Sequence, residues 1–361
     1  MSGLLIAAGV VLGLFLMGKG YLLFLRMHYR EPIRADEVHG VRTEDGWQIT
    51  LHRRCPRQGR GEPVLLCHSL SSNHLNFEIP AAESVVDVLI EAGYDCWGVD
   101  TRACRSAVPP RGARKGSATL DGALLKDLPA AIAFIRETTG YPKVHWIGHS
   151  LGGMLMYAYA LRFGPDHIAS GVTWGSPPGF KGMRFRKRSA LNAVAPFAHG
   201  IMEFFMRALI PLAMRLHPKT HLLPINWENV HPKLSNAELF HSVELPAPKF
   251  AMQMDAWTSS GTWVMCDGTL DVQEHLNELK VPLLAVYGAK DPLVPLHKAR
   301  TFFESLAHEE KRMLVLSRQN GCEVDYNHME LAFARNGRRD LYEPTAAWLA
   351  AHPVNPNSAV E

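Results

Sequence analysis

One serine of the chain lies between two glycines in a pattern that could make it a nucleophile. Gly148-His149-Ser150-Leu151-Gly152 is the one G-x-S-x-G sequence in the chain. An apolar run leads into it and a stretch rich in small residues leaves it, which predicts a strand, a sharp turn and a helix. Glycines permit a strained backbone at such a turn because they carry no Cβ, so the hydroxyl is presented above the sheet. We therefore predict that Ser150 is a nucleophile.

A serine hydroxyl is a poor nucleophile at neutral pH, so it needs an adjacent base, which a carboxylate must orient. Two further polar residues follow apolar runs later in the chain: Asp291 comes after 281–287, and His328 comes after 311–317. The carboxyl ends of parallel strands meet at one edge of a sheet, where ligands bind. These positions nominate Asp291 as the acid and His328 as the base, with Asp100 and Asp255 as alternative acids.

With these residues in this order, the sequence resembles the α/β-hydrolase family over about residues 38–350. In that family the nucleophile, the acid and the histidine follow one another as Ser, Asp or Glu, and His. The residues after 281–287 look like the family's acid loop, and Tyr326-Asn327-His328-Met329-Glu330 looks like its histidine loop. The resemblance implies acyl transfer to the serine, with no metal and no cofactor.

Catalysis of this kind also needs an oxyanion hole made of two backbone N–H groups. One belongs to the residue after the nucleophile, here Leu151. The segment Cys67-His68-Ser69-Leu70 resembles the family's His-Gly-x turn, which implies that Leu70 donates the second. Ser69 stands where the family usually has glycine. We expect His68 to brace this loop and His149 to pack within the elbow.

Strand-like and helical runs alternate along most of the chain. Short apolar runs predict strands and periodic runs predict helices, so the fold class is α/β, with a mostly parallel sheet and helices on both faces. The predicted strands are 38–42, 47–52, 63–67, 94–99, 143–147, 169–174, 281–287 and 311–317, and the clearest predicted helices are 81–92, 120–138 and 151–163.

The alternation stops near Pro178 and returns at Val281. We predict a helical cap at 180–278, inserted between two parts of the hydrolase core at 31–179 and 279–361. Within the cap, the pattern over 191–216 predicts a helix. Its part 201–216 is apolar on almost every face, so it must be buried or contact lipid or an apolar ligand. The cap also has a basic run. This run either binds anionic lipid headgroups or forms a solvated face that keeps the cap soluble. That run includes Lys181, Arg184, Arg186, Lys187, Arg188, Arg207, Arg215 and Lys219.

Residues 1–30 predict a membrane anchor. Apolar residues fill 3–18 and resume at 21–25, close to the about 20 residues that a bilayer needs. Arg26, Arg30 and Arg34 follow the run, which places the catalytic body in the cytoplasm by the positive-inside rule. A cleavable signal peptide and a helix lying in the membrane interface are the alternatives.

The overall composition narrows the function further. The chain has 38 Lys and Arg and 35 Asp and Glu, which gives a net charge of +3. This excess of positive charge is too small for a protein that binds nucleic acid by electrostatic attraction. The six cysteines include no C-x-x-C pair, which favours buried thiols and a reducing compartment.

Together these features predict a membrane-anchored serine hydrolase that cleaves esters of lipophilic substrates, in the manner of a lipase or carboxylesterase. The alternatives are a catalytically silent, membrane-tethered binding or scaffold protein, and an acyltransferase or thioesterase that uses the same three residues.

Overall fold

The computed structural model describes residues 2–30, 34–181, 206–218 and 223–354. The described strands are β1 Glu37–Arg42, β2 Gln48–Arg54, β3 Pro63–Cys67, β4 Asp95–Asp100, β5 Val144–His149, β6 Ile168–Trp174, β7 Val264–Met265, β8 Leu270–Asp271, β9 Leu283–Gly288 and β10 Lys311–Leu316. The described α-helices are α1 Ser2–His28, α2 Val85–Glu91, α3 Leu120–Gly122, α4 Leu128–Thr139, α5 Leu151–Phe163, α6 Ile210–Leu216, α7 Asn236–Ser242, α8 Pro248–Ser260, α9 Val272–His275, α10 Leu296–Ser305 and α11 Glu343–Ala350.

Eight of the strands form one sheet in the order β1-β2-β4-β3-β5-β6-β9-β10, while β7 and β8 pair separately. β1 and β2 are antiparallel to each other, β2 is antiparallel to β4, and the remaining neighbours are parallel. The mostly parallel α/β sheet that the alternating runs predict is therefore confirmed. Each predicted strand lies within two residues of an observed one.

The central strands bury both faces of the sheet, as parallel strands covered by helices must. Leu65, Trp97 and Trp146 belong to one apolar core, with the helices α4 and α5. Val64, Cys96 and Ile147, their neighbours in sequence, belong to a second core on the opposite face, with α2 and α11. This alternation is the period-two pattern of a strand.

The described part of the predicted cap contains α6, α7, α8, the β7–β8 pair and α9. Five residues of the basic run lie outside the described residues: Arg184, Arg186, Lys187, Arg188 and Lys219. Most of the helix expected at 191–216 lies outside them as well. Arg207 is described, and its side chain is buried beside Glu244 rather than on a solvated face. The division into anchor, core and cap stays a prediction.

The predicted membrane-spanning helix is not supported. Residues 2–28 do form one helix, but among the helices that the structure describes none is long and apolar enough to cross a membrane. Leu22 and Leu25, which the sequence assigned to the span, are buried instead against Ala208, Ile210 and Phe240 of the cap region. The last turns of α1 therefore pack on protein.

Candidate active site

Ser150 lies on a sharp turn between β5 and α5. Its backbone has φ 53° and ψ −113°, a region that residues with a side chain rarely adopt. A Cβ on Gly152 would come within 1.8 Å of the Cys67 carbonyl oxygen, and one on Gly148 would come within 2.3 Å of the Gly153 nitrogen. Only glycine fits at either position, so both glycines of the motif are needed to build the turn.

Asp291 follows β9 and is buried. Its Oδ1 accepts the backbone N–H groups of Leu293 at 2.8 Å and Val294 at 3.2 Å, which fixes the carboxylate. Its Oδ2 lies 2.7 Å from Nδ1 of His328. The carboxylate can only accept here, so His328 donates from Nδ1 and its Nε2 is left to take a proton.

Ser150 and His328 line one cavity of about 310 Å³. The two residues nominated for the oxyanion hole, Leu70 and Leu151, line it as well. The structure thus brings all five predicted site residues to one place, with Asp291 behind His328. No hydrogen bond within the described residues joins the Ser150 hydroxyl to His328. Such bonds are often long before substrate binds.

Leu151 is the first residue of α5, where backbone N–H groups have no partner within the helix. Leu70 lies in the loop after β3. His68 braces that loop: its Nδ1 donates to the Ser69 carbonyl at 2.7 Å, and its Nε2 lies 3.1 Å from the Cys104 sulfur. Burial lowers the pKa of His68 below its usual range, so the ring is neutral and Nε2 can accept a hydrogen bond from the Cys104 thiol.

His149 is more than a packing residue of the elbow. It is buried, with Nδ1 3.1 Å from the side-chain amide of Asn76 and Nε2 3.2 Å from the carbonyl oxygen of His328. The sequence analysis did not single out Asn76. An isolated polar residue in a loop has no periodicity or spacing that would reveal such a contact.

Glu330 is a second residue that the sequence analysis missed. Its buried carboxylate accepts the N–H groups of Asn327 and Asn226, and so ties the histidine loop to the cap region. Burial raises the pKa of Glu330 to about 7, although both N–H donors act in the opposite direction. Its place two residues after His328 is the only signal in the sequence.

The alternative acids do not approach His328 in the described structure. Asp255 lies within α8. Asp100 accepts hydrogen bonds from the His74 backbone and the Ser106 hydroxyl. Its carboxylate also lies 3.3 Å from His52. These contacts leave Asp291 as the acid that faces the histidine.

Two groups of side chains contain enough metal-binding atoms to be tested as metal sites: His52, His74 and Asp100, and His68, Asp100 and Cys104. The rings of His52 and His74 are stacked, with centroids 3.4 Å apart and planes 10° apart. An imidazole lone pair lies in the ring plane, so one ion cannot serve two parallel rings. In the second group, the Cys104 thiol already faces the free nitrogen of His68. Both groups fit a hydrogen-bonded cluster better than a metal site.

Comparison with known proteins places these features in context. The family model for the alpha/beta hydrolase fold matches residues 62–317. Lipase 1 of Drosophila melanogaster is 34% identical over 340 residues, covering 85% of this chain and 75% of that protein. A probable lipase of Schizosaccharomyces pombe is 31% identical over 368 residues, covering 88% and 78%.

Among solved structures, an esterase from Exiguobacterium antarcticum has a TM-score of 0.58 at 17% identity, covering 86% of this chain and 98% of that one. A thermophilic esterase from Thermogutta terrifontis has the same TM-score and identity, covering 88% and 100%. At this identity the structural likeness establishes the fold alone.

Replacing Glu330 by Gln should weaken the pH dependence of stability between pH 5 and pH 7. A raised pKa means that the folded protein keeps a proton that the unfolded chain releases, so stability falls as pH rises through this interval. Glu330 contributes at most about 1.4 kcal/mol per pH unit to that fall. Glutamine has no proton to lose, so Glu330→Gln removes this part of the slope, measured by urea unfolding at pH 5, 6 and 7.

Glu323→Gln, at an exposed position of the same loop, is the matched control and should keep the wild-type slope. Equal slopes for the wild type and Glu330→Gln would contradict the prediction.

Proposed function

The chain belongs to the alpha/beta hydrolase family, and from that premise we propose that it cleaves esters of lipophilic substrates through an acyl-enzyme on Ser150. It is a serine ester hydrolase of the lipase or esterase type. One observation carries the proposal: the 2.7 Å contact between His328 Nδ1 and Asp291 Oδ2, beside a cavity that Ser150 also lines.

In the proposed mechanism, Ser150 attacks the ester carbonyl while His328 Nε2 takes the hydroxyl proton. Asp291 holds the imidazole in this tautomer and stabilises the imidazolium that forms. The N–H groups of Leu70 and Leu151 bind the oxyanion, and His328 then donates its proton to the leaving alcohol. Water, activated by the same histidine, attacks the acyl-enzyme and releases the acid.

The cavity supports a lipophilic substrate. Its lining beyond the reacting groups is mostly apolar, and includes Ile79, Met154, Phe180, Leu239, Val243, Met254, Leu293, Met329 and Phe333. If each carbon takes about the 30 Å³ that a water molecule occupies, a cavity of about 310 Å³ holds on the order of ten carbons. We therefore favour esters with acyl chains of medium length over acetate esters.

Membrane contact through α1 and the cap is a further part of the proposal. The helices α1 and α6 pack together through Leu22, Leu25 and Ile210. Both helices also have exposed apolar side chains. These side chains are Leu16, Met17, Leu23, Phe24 and Met27 of α1, and Leu209, Leu212 and Leu216 in and next to α6. Such a surface fits a lipid interface. The cytoplasmic side, inferred from Arg26, Arg30 and Arg34, stays a prediction.

Labelling with a fluorescent fluorophosphonate tests the proposed nucleophile and base. The wild type should be labelled, and both Ser150→Ala and His328→Ala should lose labelling, because the first lacks the hydroxyl and the second cannot activate it. Asp291→Asn should lower kcat by about 10⁴-fold because the tautomer is wrong. The matched control is Ser170→Ala, which removes a buried serine of β6 and should label normally. A folded wild type that does not label would favour the silent scaffold.

A series of p-nitrophenyl esters tests the substrate class. From two to about ten acyl carbons, kcat/KM should rise because each buried methylene contributes about 0.8 kcal/mol at best, or up to about fourfold. Beyond that length it should level off. A maximum at acetate would contradict the lipophilic proposal. Products that carry the acyl group on an added alcohol, rather than free acid, would favour the acyltransferase alternative.

Flotation with phosphatidylcholine vesicles tests membrane contact. The triple variant Leu23→Ser, Phe24→Ser, Met27→Ser should weaken vesicle binding by about tenfold or more, because three exposed apolar side chains no longer enter the interface. A triple variant at exposed apolar positions elsewhere, Val38→Ser, Val108→Ser and Phe163→Ser, should bind like the wild type. Equal losses in both variants, or no binding by the wild type, would contradict the proposal.

A further inference from the structure

His149 and Asn76 connect three segments of the candidate active site. His149 precedes Ser150 on the elbow, and its Nε2 lies 3.2 Å from the carbonyl oxygen of His328. Its Nδ1 lies 3.1 Å from the amide of Asn76, and the hydroxyl of Ser69, in the loop that carries Leu70, lies 3.4 Å from the same amide. Both His149 and Asn76 are buried and line the cavity.

The chemistry of the partners fixes the protonation of His149. A carbonyl oxygen can only accept, so Nε2 must carry a proton. Burial, together with the nearby ring of His328, lowers the pKa of His149 to about 3, so the ring is neutral and Nδ1 has no proton. Nδ1 is therefore an acceptor, and the amide nitrogen of Asn76 must face it. The two ends of an amide are told apart by such contacts, and in this orientation the two N–H groups of Asn76 Nδ2 can be donated to His149 Nδ1 and to the Ser69 hydroxyl.

We propose that His149 and Asn76 are positioning residues, which hold the backbone of His328 in register with the elbow and the oxyanion loop. The inference rests on the proposed function of Ser150 and His328. Asp291 fixes the His328 ring at Nδ1, and His149 fixes the same residue at its backbone carbonyl. The His328 N–H donates to Asn327 Oδ1 within the same loop, so the His149 contact is the one described hydrogen bond that ties the His328 backbone to the elbow.

The neutral state of His149 is part of this role. Its ring centroid lies 5.2 Å from that of His328. A second cation at this distance would oppose the imidazolium that forms on His328 during catalysis. A residue at position 149 must therefore donate one hydrogen bond to the His328 carbonyl without carrying charge.

Kinetics of two substitutions at position 149 test the proposal. His149→Phe keeps a flat ring and removes both hydrogen bonds, so kcat should fall by about 10- to 100-fold, as for a small displacement of a reacting group. KM should change much less than kcat, since His149 is one of many residues that line the cavity and phenylalanine keeps a flat ring there. His149→Gln can still donate to the His328 carbonyl and accept from Asn76, and should keep kcat within about fivefold of the wild type.

His145→Gln is the matched control. His145 is a fully buried histidine of the same strand, with hydrogen bonds to Ser170 and Glu62. It is not among the residues that line the cavity, so its replacement should affect stability and leave kcat unchanged. A kcat loss in His145→Gln as large as in His149→Phe would show that a general loss of packing is responsible, and would overturn the proposal.

Asn76→Asp provides a second variant of nearly the same size, in case His149→Phe does not fold. An aspartate cannot donate to Nδ1, so the His149 ring either moves its proton from Nε2 to Nδ1 and loses the bond to the His328 carbonyl, or takes a second proton and becomes a cation beside His328. The expected result is a kcat loss similar to that of His149→Phe, with cooperative unfolding retained. Wild-type kcat in a folded His149→Phe or Asn76→Asp would overturn the positioning role. Absence of fluorophosphonate labelling in the folded wild type would instead refute the proposed function itself.

Discussion

The close approach of α5 to the carbonyl end of β3 is the constraint on which the candidate site depends. A Cβ at Gly152 would meet the Cys67 carbonyl oxygen at 1.8 Å, so the elbow and the loop after β3 share one space. Because β3 and β5 are parallel neighbours, both chains turn away from the sheet at the same edge. The same contact brings Leu70, Leu151 and Ser150 to one cavity. The strained backbone of Ser150 is held there by its N–H bond to the Trp174 carbonyl.

Burial then dictates how the histidines of the site must be protonated. His68 and His149 each lie against a backbone carbonyl, and burial keeps both rings neutral. A neutral imidazole has one donor and one acceptor, so each carbonyl determines what the other nitrogen can bind. His328 follows the same logic with a carboxylate in place of a carbonyl. The site therefore has three oriented rings, of which only His328 has its second nitrogen available for a reacting group.

Much of this could be predicted from the sequence, because apolar periodicity reports burial directly. The helix 151–163 has the bounds expected of it, and the strands that precede Ser150, Asp291 and His328 were all predicted. Asn76 and Glu330 were not, because the role of an isolated polar residue depends on what tertiary packing places beside it. The N-terminal helix shows the same limit. Composition predicted lipid around Leu22 and Leu25, whereas packing gives them Phe240, more than 200 positions away.

Two segments of the cap region line the cavity, residues 224–229 and α7. The first is hydrogen-bonded to the histidine loop and the second to the loop after β3. On one side, Met329 donates to the Pro224 carbonyl, Arg335 donates to the Asn229 carbonyl, and Glu330 binds the Asn226 N–H. On the other side, the loop after β3 contacts the end of α7, with Ser72 donating to the Ser242 carbonyl and Asn73 to that of His241. These hydrogen bonds tie the segments that cover the cavity to the histidine loop on one side and to the loop after β3 on the other.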